Sequence, residues 1–141
     1  MKSILSIACV AVLMVGAVTA LAPSPQPYKV VFDLTSQDPL DQQAVLRWIR
    51  QVTELNPKTE TEVVMYGRGL DLVISEKTTV AAGIQEAINN AHASFKVCAI
   101  AMKNQQVDKS QLLPNVQIVP DGIGEIVARQ RAGWGYIKVG H

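Results

Sequence analysis

The chain has 141 residues, a length suited to one domain, and it carries 13 Lys and Arg against 12 Asp and Glu. Near-zero net charge, few aromatics and no basic cluster exclude the electrostatic footprint of a nucleic-acid or anionic-membrane binder. Two histidines and two cysteines, with no H-E-x-x-H, no C-x-x-C and no paired Cys/His spacing, exclude the common zinc and dithiol motifs.

Taken in order, the chain opens with Lys2 and then runs from Ile4 to Val18 without a charge. Small residues follow at Val18, Ala20 and Ala22. A positive start, a short apolar stretch and a small-x-small end describe a secretory signal peptide over residues 1–22, cleaved after Ala20 or Ala22. The expected address is periplasmic or secreted, with no stable membrane insertion after cleavage. Removing the leader takes away Lys2 and no acid, leaving twelve charges of each sign. It also takes away Cys9, so Cys98 is left without a partner for a disulfide. Pro23, Pro25 and Pro27 make residues 23–27 a stiff extended linker. The domain then occupies residues 28–141.

Residues 28–34 are β-branched and aromatic at their centre and predict a strand. Asp38 and Pro39 suit a helix N-cap and first position, with Asp41 in the first turn. Val45, Trp48, Ile49, Val52 and Leu55 recur at helical spacing, and Asn56-Pro57 stops the helix. Trp48 lies on that stripe and is expected in the core. Residues 60–66 predict a second strand, broken by Gly67-Arg68-Gly69, with a short helical turn over 70–74. Thr78 or Thr79 is expected to cap a second long helix, with Ile84, Ala87, Ile88 and Ala91 on one face. A third strand is expected from Phe95 to Ala101, followed by a polar turn at Lys103, Asn104 and Gln105. Asp108 caps a short helix through Gln111, and Pro114 ends it. Residues 115–119 predict a fourth strand. Asp121-Gly122 opens a helix with Ile123, Ile126 and Val127 inward, closed by Gly133. Residues 134–139 predict a short strand at an edge.

Strands and helices thus alternate, which implies a mainly parallel sheet with helices on its faces. Parallel strands end on one side. That side gathers Thr35 and Ser36, the Gly67-Arg68-Gly69 turn, Cys98 and Asp121-Gly122, and it is the expected place for chemistry. A guanidinium at Arg68 or an ammonium at Lys103, placed beside Cys98, would favour the thiolate. No G-x-G-x-x-G or P-loop is present, and no cofactor is implied. His92 stands at a helix end and His141 at the terminus, so neither builds a metal site. Asp33 lies inside a strand, and Asp121 reads as a cap rather than as a general acid or base. Without a nucleophile elbow there is no basis for a Ser-His-Asp triad.

Several segments, taken together, resemble the DsrE/DsrF-like family. They are the first strand from Tyr28, the Tyr66-Gly67-Arg68-Gly69 turn, and Cys98 with Met102 and Lys103 behind it. Leu112 to Gly122, with its Val119-Pro-x-Gly core, and the Gln130-x-x-Gly-Trp134-x-Tyr136-Ile137 tail complete the set. The resemblance runs from Tyr28 to Lys138. It implies a three-layer α/β/α fold with a mainly parallel five-stranded sheet, and homo-oligomers, often trimers or hexamers. It also implies sulfur relay, with a persulfide carried on the cysteine matched by Cys98 and exchanged with a donor or acceptor protein. Similar proteins often show Asn and Thr after that cysteine; this chain has Ile100 and Ala101, a more apolar surround. Three readings therefore stand: a sulfur carrier, a ligand- or protein-binding module in which Cys98 is structural, and an oligomeric protein with no chemistry of its own.

Overall fold

The structure, a computed structural model, describes residues 26–140. The expected leader, its cleavage sites, Cys9 and His141 lie outside the described residues, as does the linker up to Ser24 and Pro25. Five strands form one sheet: β1 (Lys29–Leu34), β2 (Glu60–Met65), β3 (Ala93–Cys98), β4 (Gln117–Val119) and β5 (Gly135–Val139). Their order is β4-β3-β2-β1-β5 and every pairing is parallel. The helices are α1 (Pro39–Leu55), α2 (Ala81–Asn90), α3 (Ala99–Gln105) and α4 (Gly122–Arg131), with 3₁₀ turns at Gly67–Leu72 and Lys109–Gln111.

The strand order explains the layers. From β1 to β4 the chain steps in one direction, so right-handed crossovers put α1, α2 and α3 on one face. From β4 it returns past three strands to the far side of β1, and the same handedness puts α4 on the opposite face. The larger core lies under the first layer. Val30, Phe32, Leu34, Val63, Met65, Phe95 and Val97 point there and meet Val45, Ile49, Leu70, Leu72 and Ile84. Trp48 stacks on Phe32 with ring centroids 6.5 Å apart, so it belongs to the core but is only partly buried.

Local signals act as the sequence suggests at most element ends. Asp38 accepts a hydrogen bond from the Leu40 amide, and Pro39 takes the first helical position. Asp108 makes a capping box with Gln111, and Asp121 accepts from the Ile123 and Gly124 amides. Four expectations are corrected. The third strand stops at Cys98, and residues 99–105 form α3 rather than strand and turn. The α2 N-cap is Val80, whose amide donates to Thr78 Oγ1; neither threonine caps the helix itself. Leu55, at the last turn of α1, is exposed rather than on the buried stripe. Ile123 and Val127 point outward from α4, 58% and 45% exposed; only Ile126 of that trio is buried.

The last correction has a physical cause. The second sheet face offers α4 little apolar surface: Val31 and Val64 with the partly buried Tyr66 and Trp134, and Cys98 at the strand end. The alternate strand positions on that face also carry Asp33, Glu62 and Lys96. Facing stripe residues at Gly122, Glu125, Ile126 and Arg129 therefore dock by charge. Lys96 Nζ lies 2.9 Å from Glu62 and 2.8 Å from Glu125. Arg129 reaches Glu62 at 3.0 Å and Glu125 at 2.9 Å. Glu62 is 2% exposed at its side chain, and its Oε1 has no hydrogen-bond partner among the described residues. Burial pushes the Glu125 carboxyl upward, but hydrogen bonding and the charges of Lys96 and Arg129 outweigh it and hold it below the usual carboxylate range. Removing one partner from such a group strands the others in a poorly solvated place. Lys96→Met is expected to lower the stability by about 3 kcal/mol, and Lys96→Met with Glu62→Leu to recover most of that loss. Urea midpoints of the two variants check this; equal losses would remove Lys96 and Glu62 as a buried pair.

Candidate functional site

A crevice opens where the chain leaves adjacent strands in opposite directions. β3 and β4 are such neighbours: α3 turns to one face and α4 to the other. Cys98, the last residue of β3, pairs in register with Val119, the last residue of β4. It is also the N-cap residue of α3 and makes no side-chain cap hydrogen bond. The cleft at this point encloses about 450 Å³. Its lining comes from the turn after β2, from Cys98 and α3, and from the start of α4.

The three sequence-predicted site residues separate here. Cys98 and Arg68 line the same cleft. Lys103 is exposed on α3 and is not among the lining residues. Cys98 is a free thiol, 4% exposed, and it packs into the main apolar cluster beside Ala101 and Met102. The guanidinium of Arg68 has no ion pair and no side-chain hydrogen bond among the described residues. Asp121 lines the cleft too, but both its oxygens are spent on the first amides of α4.

Two glycines set the close packing. A Cβ on Gly122 would meet the Cys98 Cβ at 3.2 Å, Val64 at 3.3 Å and Tyr66 at 3.4 Å, so a side chain there would push α4 off the thiol. A Cβ on Gly69 would fall 2.1 Å from the Leu34 carbonyl oxygen. Only glycine lets the turn bearing Arg68 lie against the end of β1.

Next to the cleft stands a second polar group that single-strand reasoning does not assemble. Asp33, buried, accepts from Tyr136 OH at 2.7 Å and Tyr66 OH at 3.3 Å. Lys138 Nζ donates to it at 3.1 Å and to Thr35 Oγ1 at 2.8 Å, and lies 5.8 Å from the Tyr66 ring centre. The signal was present as a charge in the middle of an apolar strand, with Tyr136 and Lys138 two residues apart. What hid it was the strand order, because β5 is remote in sequence and adjacent in space. Tyr66 joins the two groups: its hydroxyl binds Asp33 and its ring walls the cleft.

The fold and site define a parallel, three-layer α/β protein whose one cysteine among the described residues stands at the divergence of β3 and β4. The profile of the DsrE/DsrF-like family matches residues 29–139, and the chain belongs to that family. The family relates the domain to sulfur relay. Among solved structures, the chain is similar to MTH1491 of Methanobacterium thermoautotrophicum, a protein of unknown function. The TM-score is 0.74 at 26% identity, covering 79% of this chain and 98% of that one. It is also similar in fold to BT1422 of Bacteroides thetaiotaomicron, with TM-score 0.65, 14% identity and coverage of 79% and 94%. The third is the ychN protein of E. coli, with TM-score 0.66, 8% identity and coverage of 80% and 99%. No curated protein matches the chain.

The tyrosine cluster yields a titration. The hydrogen bond to Asp33, then burial and the Asp33 charge, push the Tyr136 hydroxyl up to about 12. Tyr66 is raised as well, by burial first and then by Asp33. A phenol with a raised value contributes stability that is complete below its ordinary value of 10.0 and is lost as pH climbs toward about 12. Ultraviolet phenolate titration is expected to show a late step near pH 12 that Tyr136→Phe removes. The stability difference between the two proteins should be flat below about pH 10 and shrink progressively as pH climbs to about 12. A late step that survives the substitution would remove the assignment.

Proposed function

We propose that the protein is an exported sulfur carrier that holds a persulfide on Cys98. The observation that carries this reading is the position of Cys98, which ends β3 in the crevice between α3 and α4, on a cleft shared with the unpaired guanidinium of Arg68. The chemistry is exchange without net redox. The thiol gives its proton to solvent, and the thiolate attacks the outer sulfur of a persulfide donor. One sulfur–sulfur bond forms on Cys98, the donor's breaks, and the donor leaves as its own thiolate. Arg68 supplies the cation that favours the attacking anion and the persulfide that follows. Among the described residues no helix is long and apolar enough to cross a membrane.

One observation favours a second reading. Cys98 is 4% exposed and packed in the main core, as a structural cysteine would be, and the cleft would then be a binding site without covalent chemistry. Intact mass separates the two. Polysulfide is expected to add one sulfur to the native protein and none to Cys98→Ser. Alkylation of Cys98 at neutral pH is expected to slow roughly fivefold in Arg68→Ala and not at all in Lys103→Ala. A thiol modified only after denaturation would sink the carrier.

We also propose that the protein works as a homo-oligomer, a trimer or hexamer. What supports this is Val127, apolar and 45% exposed on the outer side of the thin α4 layer and outside the cleft lining. Light scattering after gel filtration is expected to give three or six subunits, and Val127→Asp to give a smaller species. A wild-type monomer at working concentration would end the proposal.

A further inference from the structure

The cleft beside Cys98 is held open by groups already committed elsewhere. Tyr66 is tied through its hydroxyl to Asp33, and the Gln105 amide donates to the Gly67 carbonyl. Asp121 is used by the α4 cap. What remains for a ligand is one unpaired cation, Arg68, the Asn104 amide, one thiol and apolar surface, with the Asp121 carboxylate charge on the same lining. Ile100 and Ile123 stand at the mouth from the two diverging helices, 54% and 58% exposed, with Ala101 and the Tyr66 ring behind them. A volume of about 450 Å³ suits a small organic molecule.

From this geometry we infer the substrate class: a small organic sulfane-sulfur monoanion, with an apolar body seated between Ile100 and Ile123 and an anionic head facing Arg68. The inference rests on the carrier reading of Cys98 and adds its donor. Arg68 is the one cationic lining residue and the Asp121 carboxylate stands on the same lining, so the cleft can offset one negative charge on a ligand at most. A dianion such as thiosulfate would leave its second charge unpaired against apolar walls, at a desolvation cost. A guanidinium fork also matches two oxygens of a sulfonyl head. With an organic thiosulfonate the step balances. The Cys98 thiol releases its proton to solvent, and the thiolate attacks the terminal sulfane sulfur. The bond between that sulfur and the sulfonyl group breaks, and an organic sulfinate leaves with the electron pair.

The test compares benzenethiosulfonate with methanethiosulfonate, which share a head group and charge and differ in the apolar body, and with thiosulfate. Loading of Cys98 is followed by intact mass, and each rate is divided by the rate of the same donor with free cysteine. The normalised rate for benzenethiosulfonate is expected to exceed that for methanethiosulfonate by about tenfold. Thiosulfate should be the slowest. Ile100→Asn and Ile123→Asn, both at exposed positions, should erase the preference by slowing benzenethiosulfonate to the methanethiosulfonate rate. Arg68→Ala should slow both thiosulfonates alike. Equal normalised rates, or a preference that survives both isoleucine substitutions, would overturn the donor class. If polysulfide loads Cys98 and benzenethiosulfonate does not, the donor class fails and the carrier stands. If no donor loads Cys98, the carrier reading fails and takes this inference with it.

Discussion

The docking of α4 depends on four charges between it and the sheet, of which Glu62 and Lys96 are buried and Glu125 and Arg129 half-buried. Lys96 and Glu62 rise from neighbouring strands, and Glu125 and Arg129 descend from the helix. An apolar stripe on a sheet can slide by a turn at modest cost, because dispersion is non-directional. A crossed set of ion pairs cannot, since any shift leaves a charge poorly solvated and unpaired. The helix is thereby held in one register, and that register brings Gly122 onto the Cβ of Cys98. The burial of the thiol and the shape of the cleft both follow from where α4 is pinned.

A second polar anchor works at the strand ends. β5 is an edge strand, and its backbone bonds reach only β1. Asp33 adds side-chain ties to it through Tyr136 and Lys138, and the same carboxylate holds Tyr66. The cleft wall is thus coupled to the C-terminal strand through one buried acid. Trp134, at the start of that strand, lies under the Arg129 guanidinium at 4.9 Å, which links the edge to the α4 network as well. The second face of the sheet thus carries two polar groups, one around Asp33 and one around Glu62, beside the small apolar cluster of Val31, Val64 and Ile126.

Burial and reactivity meet at Cys98. A thiol at 4% exposure is shielded from bulk oxidants, which suits a sulfane cargo and also suits a plain core residue. The difference lies in the cleft. Its entry is framed by helices that part company at β3 and β4, and by a turn that can carry Arg68 there because Gly69 has no side chain. In this arrangement Cys98 shares its cleft with Ile100, Ile123 and Arg68.

Much of this architecture was legible in the amino-acid order. Strand alternation, the caps at Asp38, Asp108 and Asp121, the stop at Asn56 and the turn at Gly67 are local signals, and local backbone chemistry acts on them directly. The family segments and the place of Cys98 at a strand end belong to the same category. The tertiary structure alone decided which charges meet, that Arg68 shares the cleft and Lys103 does not, and that Ile123 and Val127 face outward. Those outcomes depend on strand order and on which sheet face a helix covers. A side chain alternating out of a strand carries no mark of what will lie above it, so the partners of Asp33, Glu62 and Lys96 are set only when the return from β4 to β5 puts β5 and α4 around them.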